Sequence, residues 1–352
     1  MKSVAIIGAG PAGSVAAIAL ARVGIDVTLV EQHRYPHDKV CGECLSALGL
    51  EVLERLGLKQ QLRTFRPAPL VQSILHAPDG ASARVPLANE MWGISRIALD
   101  PFLLNAARSA GARVIQPARL EKVGQLRDLV TNQLRPLSAD FILRANGRSA
   151  SRPSELGLKA HFSHIDAPQD AIGLFGVGGH YGGIAPIENG LWNIAFSVPT
   201  RRFKGESLDR LFGQIQHENV ALRRQMRRAK RISNWLTSPL PRFAVERHWS
   251  EGSIPIGNAA AAVEPIGGEG MGLAMRSAEI AAQHLVEAIR RGVQPDVEQL
   301  RREYRKLWNL RSLACRAAAI AVSSPWLCRL LLPLVHVDDP LTIAALWALG
   351  KA

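Results

Sequence analysis

The chain has 352 residues, 47% of them hydrophobic and 21% charged, a balance that suits a large buried core and excludes a disordered chain. Its 43 Lys and Arg against 30 Asp and Glu give a formal net charge of +13, which suits an anionic partner. No zinc-finger spacing and no basic run interleaved with aromatics accompanies that charge, so nucleic acid is not an expected partner.

Ser3 to Ile7 is a short apolar run, as expected of a buried parallel strand, and too short for the apolar core of a secretory leader. Gly8-Ala9-Gly10-Pro11-Ala12-Gly13 follows at once. Ser14 to Val23 reads as an alanine-rich helix, Gly24 stops it, and Asp26 to Val30 is a second strand ending at Glu31. A Gly-x-Gly-x-x-Gly run in this strand–turn–helix–strand setting marks a dinucleotide site. Gly8 permits the tight turn, Gly10 lets the backbone approach a pyrophosphate, and Gly13 lets the helix pack closely on the strand. The helix start, with Pro11 and Ala12 in its first turn, offers N–H groups and a partial positive charge to phosphates. Glu31 is placed to accept both hydroxyls of an adenosine ribose, with Gln32 beside it. Taken alone, this unit fits FAD and NAD equally.

Cys41-Gly42-Glu43-Cys44 has the spacing of a redox dithiol, and equally that of a cofactor-loop cysteine followed by an incidental one. No second Cys-x-x-Cys is present in the chain, and no metal is expected. The four cysteines are too few for a disulfide framework and suit a reduced, cytoplasmic chain. Val71 to Leu75 and Ala83 to Leu87 flank Asp79-Gly80, a hairpin signal. Arg96 reads as lying on a short apolar-flanked strand, from which it would reach cofactor phosphates or stand in a surface ion pair.

His180 and Tyr181 precede a glycine pair, and Ile184 to Val198 form another hairpin around Glu188-Asn189-Gly190. Tyr181 is either an ordinary buried hairpin tyrosine or a group that protonates a carbon or holds a phenol. Arg223 to Arg231 is strongly basic, as a solvated helix face or as a dock for anionic headgroups.

Ser253 to Ile256 is a further strand, followed by Gly257-Asn258-Ala259-Ala260. Then Gly267-Gly268-Glu269-Gly270-Met271-Gly272 opens a helix over Leu273 to Ile289 and again aims N–H groups at something electron-rich. Glu269 is either an acid–base group or a solvated helix-start acid. Near the C-terminus, Ala317 to Val337 contains Arg329, Pro325 and Pro333, and its longest uncharged stretch falls short of the ~20 residues that span a bilayer. Trp308, Trp326 and Trp347 sit among Leu- and Ala-rich helices flanked by Arg. That pattern suits a peripheral membrane contact, a lid over a greasy tunnel, or a plain helical cap.

Several segments together resemble one family. The run from Gly257 to Ala282 resembles the FAD-contacting segment of the geranylgeranyl reductase and p-hydroxybenzoate hydroxylase superfamily, whose usual form begins Gly-Asp-Ala-Ala. The N-terminal glycine run, Asp38-Lys39-Val40-Cys41-Gly42-Glu43, and Ser95-Arg96-Ile97-Ala98-Leu99-Asp100 are similar to the same group. So is Ala139 to Ser149, whose family form ends Ala-Asp-Gly. The resemblance runs from residue 1 to about 290. It implies non-covalent FAD held by the first glycine run with Glu31 and Gln32, by Lys39, Gly42 and Arg96, by Asn146 and Gly147, and by Gly257 and Asn258. It implies also that Gly268, Gly270, Met271 and Gly272 lie beside the flavin ring, with Cys41 lining the flavin or substrate pocket. Asn146 and Asn258 stand where the family has aspartates, a departure that bears on the use of NAD(P)H as electron donor.

The expected fold is α/β. A Rossmann-type FAD-binding domain is drawn from residues 1–65, 93–157 and 246–295, with a substrate domain of antiparallel sheet from 66–92 and 158–245 and a helical cap over 296–352. The expected activity is hydride transfer through flavin N5 to or from an apolar, prenyl- or polyketide-like molecule. An NAD(P)H-dependent aromatic monooxygenase needs the same binding residues, and a non-catalytic lipid-binding protein would use the same scaffold. Cys41, Glu269 and Tyr181 are the candidate catalytic residues. A halogenase is disfavoured, because no Trp-x-Trp-x-Ile-Pro segment is present. A cytoplasmic location with contact to an anionic membrane is expected, and the sequence does not set an oligomeric state.

Overall fold

The structure is a computed structural model that describes residues 2–122, 124–147, 154–203, 205–250 and 252–335, together with Ala348. Arg148, Ser149 and Trp347 lie outside the described residues. A five-stranded sheet runs in the order Ser253–Pro255, Phe141–Arg144, Ser3–Ile7, Asp26–Val30, Arg113–Ile115. Every pairing in it is parallel. Ser3–Ile7 is central, and its Val4, Ala5 and Ile6 are almost wholly buried, as a strand covered on both faces requires. The helix Pro11–Ala21 crosses from the first strand to the second and packs against the helix Gly270–Arg291, so the two glycine-lined helix starts lie side by side.

A nine-stranded sheet forms the second layer. Its main strands are Ala68–His76, Ser82–Gly93, Glu155–Ser163, Ala171–Val177, His180–Pro186 and Trp192–Pro199. The pairing is not wholly antiparallel, as the sequence suggested: Ala171–Val177 runs parallel to Ala68–His76, because the chain leaves and re-enters the sheet between them. One face of this sheet packs on the short helices Leu208–His217 and Val220–Gln225 through Phe175, Ile194, Phe196, Phe212 and Leu222. A three-stranded antiparallel sheet over Ala118–Lys122, Gln125–Asp128 and Leu134–Pro136 carried no clear signal in the sequence.

Arg96 does not lie on a strand. It opens the helix Arg96–Ser109, capped by the Ser95 hydroxyl, which accepts from the Ala98 N–H at 3.1 Å. The capping serine outweighs the apolar flanks that suggested a strand. The C-terminal helix Val297–Ser323 joins both layers: Tyr304 and Trp308 enter the core around the parallel sheet, and Cys315, Ala319 and Val322 pack on Tyr181 and Ile266. The chain bends by 106° into Pro325–Leu334. No single described helix is long and apolar enough to cross a membrane.

Candidate active site

The first glycine run is shaped by backbone on one side and space on the other. A Cβ on Gly8 (φ +107°) would lie 2.5 Å from the Ala145 carbonyl oxygen, and one on Gly13 would lie 1.8 Å from the Gly8 carbonyl oxygen. Only glycine lets the helix approach the strand end this closely. A Cβ on Gly10 would meet nothing nearer than an Arg96 guanidinium nitrogen at 3.6 Å. Gly10 therefore faces an open hollow with Arg96 at its edge. No side chain caps the helix that starts at Pro11. Ala12 is buried beneath it, against Gly257, whose Cβ would come within 2.9 Å of the Ala12 methyl. Glu31 is buried: it accepts from the Ala9 N–H at 2.8 Å and from the His33 N–H at 2.9 Å. Gln32 beside it is exposed and contacts His33.

Arg96 is fixed by three hydrogen bonds to two carboxylates. Its guanidinium makes a two-point bond to the buried Asp100, at 2.7 and 2.6 Å, and its own N–H donates to Glu43 at 2.8 Å. Burial opposes its charge, but the Asp100 carboxylate outweighs that and holds the guanidinium charged far above its ordinary range. Lys39 reaches over the Tyr35 ring, and burial draws its ammonium below the usual lysine range. Glu188, at the tip of the second hairpin, accepts from the Ser95 N–H at 2.9 Å and from its hydroxyl, so the hairpin pins the start of the Arg96 helix.

The second glycine segment meets the first. The Gly257 N–H donates to the Ser277 hydroxyl at 2.9 Å, and Asn258 is exposed. Gly268 turns the chain at φ +63°, and the helix from Gly270 again starts without a side-chain cap. A Cβ on Gly270 would meet nothing within 4 Å, whereas one on Gly272 would lie 2.2 Å from the Ser46 hydroxyl oxygen. Gly270 thus borders open space, while Gly272 and the buried Met271 pack inward. Glu269 is buried, not a solvated helix-start acid. Asn146 is exposed and Gly147 is half-buried beside the first glycine turn.

The inner face of the nine-stranded sheet closes the site. Leu174, Gly183 and Ala195 pair across three adjacent strands and are each half-buried on strands otherwise nearly closed to solvent. The row continues to Lys159, which has no exposed surface. Lys159 donates to Glu43 at 2.6 Å and also bonds Asp38, and His161 sits 2.7 Å from the other Glu43 oxygen. Asn193 donates to the Cys41 carbonyl at 2.9 Å. These contacts fasten residues 38–44 to the sheet. Cys41 is half-buried there, while Cys44 packs with Leu70, Met91 and Ile172, and the four cysteines form no disulfide. On the other flank, the Tyr181 hydroxyl donates to Glu264 at 2.9 Å, and Glu264 also bonds Arg316. Among the described residues no group of three His, Cys, Asp or Glu is placed to hold a metal ion.

The geometry has relatives. Residues 1–305 match the family of the FAD binding domain. The chain belongs to that family. It is 27% identical to digeranylgeranylglycerophospholipid reductase 2 of Methanopyrus kandleri, over 81% of this chain and 77% of that one. It is 26% identical to kynurenine 3-monooxygenase of Stenotrophomonas maltophilia, over 82% and 72%. It is 23% identical to conditioned medium factor receptor 1 of Dictyostelium discoideum, of whose length it spans 63%. Among solved structures, a geranylgeranyl bacteriochlorophyll reductase-like protein of Thermoplasma acidophilum superposes with TM-score 0.77 at 21% identity, covering 100% of this chain and 96% of that one. A flavin-dependent brominase superposes with TM-score 0.82 at 17% identity, over 99% and 93%. At such identity these two likenesses concern the fold.

As a member of the FAD-binding family, the chain is an FAD-dependent oxidoreductase. Its residues fit the cofactor on their own geometry. Gly10 and Gly270 leave open space that a methyl group would fill, at two uncapped helix starts lying side by side. A fixed, charged Arg96 stands at the edge of the first hollow, where a pyrophosphate needs a cation. Three features escaped the sequence reading: the Lys159–Glu43–His161 cluster, the Tyr181–Glu264–Arg316 chain, and the Glu188 tether. Each joins residues distant in sequence. By contrast Arg96 and Asp100 stand at i, i+4, a spacing that reading Arg96 on a helix would have revealed.

Proposed function

We propose that this oxidoreductase transfers hydride to an apolar, prenyl-like substrate, with reduction of a carbon–carbon double bond as its direction. The row Leu174, Gly183, Ala195 carries this reading. It is the half-buried strip of the inner face and bears no polar group, so it offers an apolar wall to an aliphatic chain. The reductase named above, which acts on a digeranylgeranyl lipid by its name, supports the same class.

When bound, FAD supplies the hydride couple through its N5. The chain's own groups do the rest. Arg96, Lys39 and the two helix starts hold the phosphates, Glu31 takes the ribose, and Asn258 offers an amide to the ribityl chain. The N–H groups of the first turn after Glu269 favour negative charge on the reduced ring. Lys159, Glu43 and His161 keep residues 38–44 seated on the sheet, so that water is shut out on that side.

NADH and NADPH are the proposed electron donors. The deciding experiment mixes the holoprotein anaerobically with each, then adds a polyprenyl alkene. Flavin bleaching followed by reoxidation on alkene addition, with a saturated product, is expected. Reoxidation only in air, with a phenol added alongside the alkene recovered hydroxylated and the alkene unchanged, would replace this reading by the aromatic monooxygenase. We further propose that the enzyme works at an anionic membrane surface in the cytoplasm, through the exposed face of its C-terminal helices.

A further inference from the structure

We infer that Tyr181 and Glu264 form a proton-delivery pair beside the apolar row, with Arg316 linking the pair to water. The inference rests on the reduction proposed above, which needs a proton as well as a hydride. Tyr181 stands on the same strand face as Gly183, two residues from the row, and is nearly buried. Its hydroxyl meets a carboxylate that is 2% exposed, and that carboxylate meets the Arg316 guanidinium, whose side chain is 61% exposed. A buried chain of two oxygen acids with one end at the surface has no structural need here. The helix carrying Arg316 is already held by Cys315, Ala319 and Val322.

The proton balance is closed by the chain. Saturation forms one C–H bond from the hydride, with its two electrons supplied by the reduced flavin, and one C–H bond from a proton. The Tyr181 O–H bond breaks as the second C–H bond forms. In the acid form of Glu264 the bond between the two oxygens runs from Glu264 to Tyr181, the reverse of its sense with the carboxylate, and in the same step the Glu264 O–H bond breaks and the Tyr181 O–H bond is restored. Glu264 is left as a carboxylate against Arg316 and takes its next proton from water on the exposed side. Tyr181 does not act alone: burial and the neighbouring Glu264 hold its hydroxyl well above the usual tyrosine range. A solitary tyrosinate is therefore too costly, and a concerted relay avoids it. Burial likewise raises Glu264, against the pull of Arg316 and Tyr181, while Glu155 pushes it further up. Glu155 reaches this region through Ser197, and Cys315 faces Tyr181 from the helix side.

Three variants of the holoprotein test the pair by infrared spectroscopy and steady-state kinetics. The native protein should show a carboxylic-acid carbonyl band that moves in D2O and is missing from Glu264→Gln. Tyr181→Phe should lower kcat by about 100-fold, the scale of one general acid, with KM unchanged. Native kcat should fall as pH rises through the Glu264 pKa, because the acid form is the active one. That limb should vanish in Glu264→Gln and move to higher pH in Arg316→Gln, which removes the charge opposing protonation. Absence of the band from the native protein, or an unaltered limb in Arg316→Gln, overturns the inference. If the alkene is not reduced yet the band is present and lost in Glu264→Gln, the substrate reading fails and the protonated pair stands.

Discussion

At the scale of single residues, the two glycines of the first turn separate folding from binding. Gly13 faces a carbonyl oxygen 1.8 Å from where a methyl carbon would sit, and backbone cannot rotate away as a side chain can. Gly10 faces a hollow. Gly13→Ala should lose stability at or beyond the upper end of the ~1–3 kcal/mol of overpacking. Gly10→Ala should stay within ~0.5 kcal/mol of the native protein and yet bind FAD at least ~10-fold more weakly. Urea unfolding of the apoprotein and flavin fluorescence titration check both, and equal effects of the two variants would refute the division. The roles of Gly8 and Gly13 in packing were legible in sequence because they depend on local geometry alone. Those of Glu43, Lys159 and Glu264 were not, because a buried charge is recognisable only with its partner. Gly272 shows the converse: a glycine in a cofactor-like motif that a neighbouring helix start, at Ser46, also requires.

At the scale of elements, the strand–helix–strand unit, both hairpins and the helix from Gly270 were legible, since each carries its own periodicity and turn residues. The strands between Ala118 and Pro136 were not, because they are short and mostly exposed, with little alternation to detect. The outer face of the large sheet was also hidden. There His76 stacks on Phe175 at 4.9 Å, and His180 donates through Nδ1 to the Gly178 carbonyl at 3.1 Å. Burial lowers both imidazoles to about 4, with Arg201 and Arg202 adding to the effect at His180 and Glu218 opposing it. The free side chain titrates near ~6.5, so the unfolded chain binds more protons between these values. Stability is therefore full above about pH 6.5 and declines as pH falls toward about 4. Urea midpoints measured across that window should drop in the native protein and drop less steeply in His76→Leu. An identical slope in the variant would show that His76 is not a source of the acid loss.

At the scale of the whole molecule, the surplus of positive charge and the exposed apolar surface meet on one element. Along Val297–Ser323 the exposed side chains include Arg302, Arg305 and Lys306 in the first half and Leu310, Leu313, Arg316 and Ile320 in the second. Past the bend, Trp326 is 69% exposed, and Leu330 and Leu334 continue the apolar surface. A monomer surface rarely gathers so many large exposed apolar side chains in one region. Exposed Arg and Lys beside exposed Leu, Ile and Trp suit a segment lying in a bilayer interface, with cations among anionic headgroups and Trp and Leu below them. The same helix carries Tyr304 and Trp308 into the parallel-sheet core and Arg316 to the carboxylate bonded to Tyr181, so a bilayer seated here would lie close to the proposed apolar substrate strip. Co-sedimentation with vesicles should therefore require anionic lipid. Leu313→Ser with Trp326→Ser should weaken binding by at least ~10-fold at low salt while the flavin content stays unchanged, since neither side chain is buried. High salt should weaken native binding only in part, because the apolar contribution is not screened. Binding that salt abolishes completely, and that the double variant leaves intact, would place the attraction in the Arg223–Arg231 segment and remove the C-terminal helices from the membrane.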